Sequence, residues 1–334
     1  MATIYDIAKI AQVSPMTVSR VINNKGNVSI STQQKVEAAI AKLHYVPNDI
    51  ARSLQSKHMK MLALLVTDIM NPFFTQIARG AEDMAHASGY QLMLCNTDED
   101  IKKEAAYIKA LISKRVDGAV IVPTGDYSTE SLHSLQQANI PFTLLDRRID
   151  GIDCESVVGD SEKGLQLLID HLVQQGHERI GFINAPMHIS TARLRFNSYE
   201  ASLASHGIAL NPQYISESHF QPGKSARQPS FLSLPENTRP TAIIAANNFI
   251  ADILMQDLHK HGLSVPEDMA VACFDEFQLP TYVQPFFTTV AQPAYAMGQQ
   301  AAKYTLEQVE DKAASSRRQD VMDVTLHIRA STVV

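Results

Sequence analysis

Met16, Thr17, Ser19 and Arg20 put two hydroxyls, a guanidinium and a thioether on one short stretch, and hydroxyls and guanidinium are the groups that hydrogen-bond phosphates and base edges. The surrounding charge suits that task. Residues 1–60 carry eight basic and three acidic side chains, a net +5, whereas the remainder carries −11 and the whole 334-residue chain −6. A small basic head on an acidic body is expected when one segment alone neutralises phosphates. Asp146 and Asp275 are candidates for an acid/base pair, although carboxylates in a solvated cleft more often accept hydrogen bonds from hydroxyls. Enzymatic signatures are missing: there is no GxSxG elbow, no GxxxxGK[ST] phosphate loop and no GxGxxG. His171 and His177, and His259 and His261, lack the HExxH spacing of a zinc site. Cys95, Cys154 and Cys273 are widely separated, form no CxxC pair and fit a reducing cytoplasmic setting. Neither an enzyme nor a cofactor or metal is expected.

The polar stretch needs helices to present it. Thr3 can cap a first helix in which Ile4, Ile7, Ala8 and Ala11 recur at i, i+3, i+4, i+7. Ser14 can cap a second, with Pro15 at its first position and Val18, Val21 and Ile22 on its buried face. Asn23-Asn24-Lys25-Gly26 ends it, and a third helix starting near Ser31 or Thr32 buries Val36, Ala39, Ile40 and Leu43. Two short helices about a tight turn, braced by a third, make a helix-turn-helix whose second helix fits a major groove. A helical protein-interaction module is the alternative; Arg20 and the polar helix start favour DNA.

From residue 61 apolar runs alternate with helical stretches. MLALLVT, QLMLCN, GAVIV and PFTLLD, with helices at 73–88, 101–113 and 129–138 between them, form one series. After Val157-Val158 a second series follows: helix 161–175, RIGFIN, helix 193–206, AIIAA, helix 248–261 and MAVACF. Continuous apolar strands separated by helices predict an α/β body of two doubly wound parallel-sheet subdomains, with a ligand cleft at the strands' carboxyl ends. VTLHIRAST reads as a last strand and SRRQD (316–320) as a solvated loop. No apolar run reaches membrane-spanning length, and MATIYDIAKIAQVS lacks the basic and apolar regions of a secretory signal.

The pattern V13-S14-x-x-TVSRV and the later Y-x-PN-x-x-AR-x-L resemble the DNA-binding head of the lactose-repressor (LacI/GalR) family. NPFF (71–74), DR (146–147), VGD (158–160), GHERIGFI (176–183), FDE (274–276) and PFFTTVAQP (285–293) carry the resemblance through the body, whose family fold is similar to periplasmic sugar-binding proteins. It implies a helix-turn-helix domain at 1–46, a hinge helix and linker at 47–60, and an effector-binding and dimerisation domain at 61–334. The lobes of that domain would be about 61–160 with 291–321 and about 161–290 with 322–334. By position, Pro15 and Met16 match the variable base-reading pair and Arg20 a base-contacting arginine. Thr17, Ser19, Asn23 and Ser29 match phosphate contacts, and Thr3 and Ser14 are placed with the same interface. Asn48 to Ser56 match the hinge helix, Ala51 packing on the partner's hinge and Leu54 wedging into the minor groove, as an apolar side chain can. The resemblance lines the cleft with Asp68, Phe73, Phe74, Asp146, Arg147, Arg195, Phe220, Asn247 and Asp275.

Four residues depart from the family pattern: Asn248 stands where aspartate is common, Ser198 and Cys273 where glycine is, and Phe287 where leucine is. Arg147, Arg148, Arg193 and Arg195 fall on matched cleft-side segments, which adds a sugar acid to neutral sugars as candidate effector. The expectation is a cytoplasmic homodimeric repressor of carbohydrate genes, bound to double-stranded operator DNA under control of a small carbohydrate, without membrane contact. A sugar-binding transport receptor is the other reading, and it would need a secretory signal and no basic head.

Overall fold

The computed structural model describes residues 2–22, 26, 28–45, 59–218, 229–277, 282–310 and 317–333. Asn23, Asn48, Ala51, Leu54 and Phe220, and most of the expected hinge, lie outside these residues. The chain divides into two compact units, Met1–Met59 and Lys60–Val334.

The first unit holds α1 (Ile4–Ala11), α2 (Pro15–Ile22) and α3 (Ile30–Leu43). Each begins on a hydroxyl. The Thr3 side chain accepts the Asp6 N–H, and the Asp6 carboxylate takes the Thr3 N–H at 2.8 Å, a reciprocal capping box. Ser14 Oγ accepts the Thr17 N–H at 3.1 Å, and Ser29 Oγ the Thr32 N–H at 3.3 Å. The third helix therefore starts at Ile30, ahead of the expected point, because Ser29 takes the cap. Ile7, Ala8, Ala11, Val18, Val21, Val36 and Ala39 form the core, with Ile4, Ile22, Ile40 and Leu43 at its rim. Each large apolar side chain so buried contributes about 1.5–3 kcal/mol.

The second unit runs β1 (Met61–Val66), α4 (Pro72–Ala87), β2 (Gln91–Asn96), α5 (Ile101–Lys114), β3 (Gly118–Ile121), α6 (Thr129–Gln137), β4 (Phe142–Leu145) and β5 (Glu155–Gly159). It continues with α7 (Ser161–Gln174), β6 (Ile180–Asn184), α8 (Ser190–Ser205), β7 (Ile215–Glu217), β8 (Ala242–Ala245), α9 (Asn248–Lys260), β9 (Ala270–Phe274) and β10 (Thr288–Ala291). Last come α10 (Ala294–Val309), β11 (Gln319–Met322) and β12 (Thr325–His327). One sheet has the order β2-β1-β3-β4-β5-β11, all parallel; the other has β7-β6-β8-β9-β10-β12, parallel except for β12, which lies antiparallel to β10. Buried apolar strands such as Leu62–Val66 and Ala242–Ala245 explain the parallel pairing, since helices cover both faces.

The chain passes between sheets three times, at 159–161, 291–294 and 322–325, so neither lobe is continuous in sequence. After the second passage α10 packs along α4. Glycine makes that approach possible: a Cβ at Gly80 would sit 2.0 Å from the Tyr295 carbonyl oxygen, and one at Gly298 2.1 Å from that of Ile77.

Three local expectations are corrected. SRRQD is more than a solvated loop over its described residues 317–320: Gln319 and Asp320 open β11, and Arg318 binds buried Glu155 through Nε at 2.8 Å and Glu307 through Nη1 at 2.6 Å. The Arg318 guanidinium also lies 3.7 Å from the Tyr304 ring centroid. Two carboxylates and an aromatic face outweigh the polar reading of that segment. VTLHIRAST is a strand only over Thr325–His327, after which Ala330–Thr332 turn and Ser331 Oγ donates to the Val271 carbonyl at 2.5 Å. Helix α8 starts at Ser190, not 193.

Candidate functional site

Strand ends of both lobes converge on one cavity of about 370 Å³, counted with its open mouth. Asp68 follows β1, Phe73 and Phe74 open α4, Asp146 and Arg147 follow β4, Arg195 lies on α8, Asn247 caps α9 and Asp275 follows β9. These eight of the nine expected cleft residues all line it; Phe220 is outside the described residues. Thr67, Asn71, Glu99 and Thr191 line it too and were not anticipated. Asn71 is the first letter of NPFF, and Thr191 lies one helical turn before Arg195, so both had a signal. Thr67 had only its adjacency to Asp68. Glu99 had none: it reaches the cavity from a loop at φ 51°.

The two lobes repeat one device. Asp146 and Asp275 end their strands in the left-handed region, at φ 64° and 67°, a conformation aspartate tolerates better than most residues. The Asp146 N–H bonds the Val157 carbonyl and the Asp275 N–H the Val290 carbonyl, both at 2.9 Å. Each carboxyl is thereby turned from the sheet into the cavity. Burial outweighs the attraction of Arg147 and Arg195 and pushes the Asp146 carboxyl up to about 6; burial raises Asp275 as well. Gln292 Nε2 donates to Asp275 Oδ1 at 2.7 Å.

Both carboxyls attract the Arg195 guanidinium. That group lies 3.9 Å from the Phe274 ring centroid, and Nη1 donates to the Ala246 carbonyl at 2.5 Å, leaving buried Nε without an acceptor. Thr67 Oγ1 is likewise buried and unpartnered. Orphaned buried polar atoms on a cavity wall fit a ligand that supplies their partners. Phe73 and Phe74, with ring centroids 5.1 Å apart edge to face, give the wall its apolar area. The other cleft-side arginines are directed elsewhere: Arg193 binds Asp126 with both terminal nitrogens, at 2.6 and 3.0 Å, and Arg148 Nε donates to Ser156 Oγ at 3.0 Å.

Direct bonds join the lobes around the cavity. Besides Arg193–Asp126, the Asp126 N–H donates to the His188 carbonyl at 3.0 Å, and the Arg148 N–H to Ser190 Oγ at 3.0 Å. On the opposite flank Asn248 Nδ2 donates to Asn71 Oδ1 at 3.2 Å. The departures from the family pattern find places in this packing. Asn248 supplies that cross-lobe bond, Ser198 Oγ donates to the Glu162 carbonyl at 2.8 Å, Cys273 is buried in β9, and Phe287 stacks on Phe277 at 4.9 Å.

In the first unit, Met16 is 67% exposed and Arg20 is exposed one turn later on α2, opposite Val18 and Val21. Thr17 and Ser19 are half-buried beside them, and Pro15 forms the helix's first turn. Thr3, Ser14 and Ser29 sit at the three helix N-termini, where backbone N–H groups and the helix dipole favour anions. No helix among the described residues is long and apolar enough to cross a membrane.

Residues 3–48 match the family model for bacterial regulatory proteins of the lacI family, and residues 169–332 the periplasmic binding protein-like domain. The chain is 34% identical to the HTH-type transcriptional repressor PurR of Aliivibrio fischeri over 314 residues, 93% of each protein. It is 35% identical to the ribose operon repressor of Halalkalibacterium halodurans over 327 residues, 96% of this chain and 94% of that protein. The Lac repressor dimer bound to operator and the anti-inducer ONPF superposes with a TM-score of 0.84 at 26% identity, covering 100% of this chain and 99% of that one. With a three-helix head, a two-lobed α/β body and relatives aligned over nearly its whole length, the chain belongs to the lacI family of bacterial regulatory proteins, DNA-binding transcription regulators rather than enzymes.

Proposed function

We propose that this protein is a cytoplasmic, homodimeric repressor of carbohydrate-metabolism genes whose operator affinity is set by a small carbohydrate-like effector held between its lobes. The convergence of strand-end carboxylates, one guanidinium with an orphaned Nε and a pair of aromatic rings on one cavity carries this reading. Hydroxyl groups donate to carboxylates and accept from a guanidinium, while ring C–H faces pack on aromatics. Residues 61–334 are read as the effector domain, behind a head at 1–46 and a hinge at 47–60.

In the head, Pro15, Met16 and Arg20 face base edges, and Thr3, Ser14, Thr17, Ser19, Asn23 and Ser29 hold phosphates. Asn48, Ala51 and Leu54 act at the hinge, Leu54 as the minor-groove wedge. Pro15 offers no long polar group and Met16 only apolar contact, for instance with a thymine methyl, so Arg20 and DNA deformability carry much of the specificity. Two-fold protein symmetry calls for a pseudo-palindromic site.

The test is a thermal-shift screen of neutral sugars, sugar acids and sugar phosphates, followed by gel-shift titration of the binding molecule against upstream DNA. A hit that raises the melting temperature and changes operator affinity is expected. A protein that binds DNA but responds to no carbohydrate refutes the effector class.

A further inference from the structure

Glu99 grips Arg147 with both carboxylate oxygens, which accept from Nη2 at 2.6 Å and Nη1 at 2.8 Å. The pair is enclosed, with side chains 2% exposed for Arg147 and 14% for Glu99. Nη1 also donates to the carbonyls of Pro123 and Thr124, at 3.1 and 3.3 Å. The planar fork that would otherwise take a ligand carboxylate or phosphate in two parallel bonds is thus engaged by the protein itself. The other cavity guanidinium, Arg195, is attracted by both Asp146 and Asp275. Among the described residues that line the cavity, the carboxylates Asp68, Glu99, Asp146 and Asp275 stand against the guanidinium groups of Arg147 and Arg195.

We propose that Glu99 makes this cleft exclude anions: by holding Arg147 it leaves the cavity with an excess of carboxylates, so that the cleft takes an uncharged polyhydroxylated ligand and rejects sugar acids and sugar phosphates. The inference rests on the carbohydrate-like reading of the cleft given above. An anion would displace water from among buried carboxylates of its own sign, where low polarisability strengthens repulsion. A hydroxyl meets no such penalty, since it can donate to Asp146 or Asp275 and accept from Arg195 Nε. An ammonium can only donate, and it would share the cavity with two guanidinium groups.

The test is isothermal titration of the full-length protein, its Glu99→Gln variant and the Glu99→Gln/Arg147→Gln double variant with D-gluconate and with inorganic phosphate. The expected result is no binding of either anion by the unaltered protein, an affinity gain of about tenfold or more in Glu99→Gln, and loss of that gain in the double variant. Gluconate or phosphate binding by the unaltered protein as tight as that of a neutral sugar overturns the proposal, and this arm decides even if the variants fail to fold. A folded Glu99→Gln with no gain overturns it too. D-Ribose and D-glucose run in parallel separate the two readings: gain of anion binding in Glu99→Gln with no neutral sugar bound by any form supports the role of Glu99 and removes the carbohydrate reading alone.

Discussion

Replacing Asn248 by aspartate should prise the lobes apart. Asn248 is 1% exposed, and its Nδ2 donates to two acceptors, Asn71 Oδ1 across the cleft at 3.2 Å and the Glu276 carbonyl at 3.4 Å. Asn71 cannot simply turn its amide round, because the same Oδ1 accepts the Phe73 N–H at 3.0 Å and starts α4. In Asn248→Asp two hydrogen bonds are lost, about 1 kcal/mol each, and a carboxylate oxygen then faces two acceptors, adding about 1–3 kcal/mol. The first position of α9 returns about 0.5 kcal/mol through the helix dipole. The Glu276 bond and the dipole act within one lobe and so in open and closed forms alike; the cross-lobe bond and the repulsion, together about 2–4 kcal/mol, count against the closed form and should weaken effector binding by roughly 30-fold to 1,000-fold, because apparent affinity scales with the population of the closed state. Isothermal titration with the sugar identified by the screen measures the affinity. Small-angle scattering of the unliganded protein should show a larger radius of gyration in the variant. Unchanged affinity within threefold, with unchanged scattering, would refute the cross-lobe bond as a closure element.

Other perturbations test other parts. The Asp146 carboxyl, raised to about 6, should ionise more readily once ligand hydroxyls donate to it, so affinity should fall as pH drops below 6, by at most about tenfold per unit, while this group's contribution to unliganded stability grows from pH 6 toward 4. Titrations from pH 5 to pH 8 check the sign, and flat affinity would remove Asp146 from ligand contact. Gly298→Ala places a methyl 2.1 Å from a backbone oxygen and should cost about 1–3 kcal/mol or more, read as a lowered melting temperature. Arg318→Met strands Glu155, which is 1% exposed, and should cost about 3–5 kcal/mol in denaturant unfolding. Arg20→Gln should lower specific operator affinity by about 1–3 kcal/mol while barely changing binding to unrelated DNA, which competitive gel shifts resolve.

Much of this molecule was legible in its sequence because the relevant physics is local. Thr3, Ser14 and Pro15 announce helix starts through groups that must be capped within three residues, and MLALLV and AIIA announce buried strands through composition alone. The cleft residues next to strand ends followed from strand positions and the family pattern. What sequence could not convey depends on distant partners. SRRQD looks like a solvated run until Glu155, 163 positions earlier, and Glu307 are seen beside Arg318. Arg147 looks like an open ligand site until Glu99, 48 positions away, is found holding it. Asn248 looks like a change in ligand hydrogen bonding until its partner Asn71 turns out to lie 177 positions off in the other lobe.

The three passages between sheets also order events during synthesis. The head core lies wholly between Ile7 and Ala39, so its sequence has been made before the first strand of the body is translated. The first lobe cannot be finished when its fifth strand emerges, because α10 and β11 follow the second lobe's β10, and the second lobe still awaits β12. Until β11 and β12 have left the ribosome, the nascent chain carries a three-helix head on a body missing an outer strand of each sheet, with one flank of β5 and one of β10 bare. Nascent chains at that stage carry unpaired strand edges and are the ones most exposed to aggregation and most in need of chaperone cover.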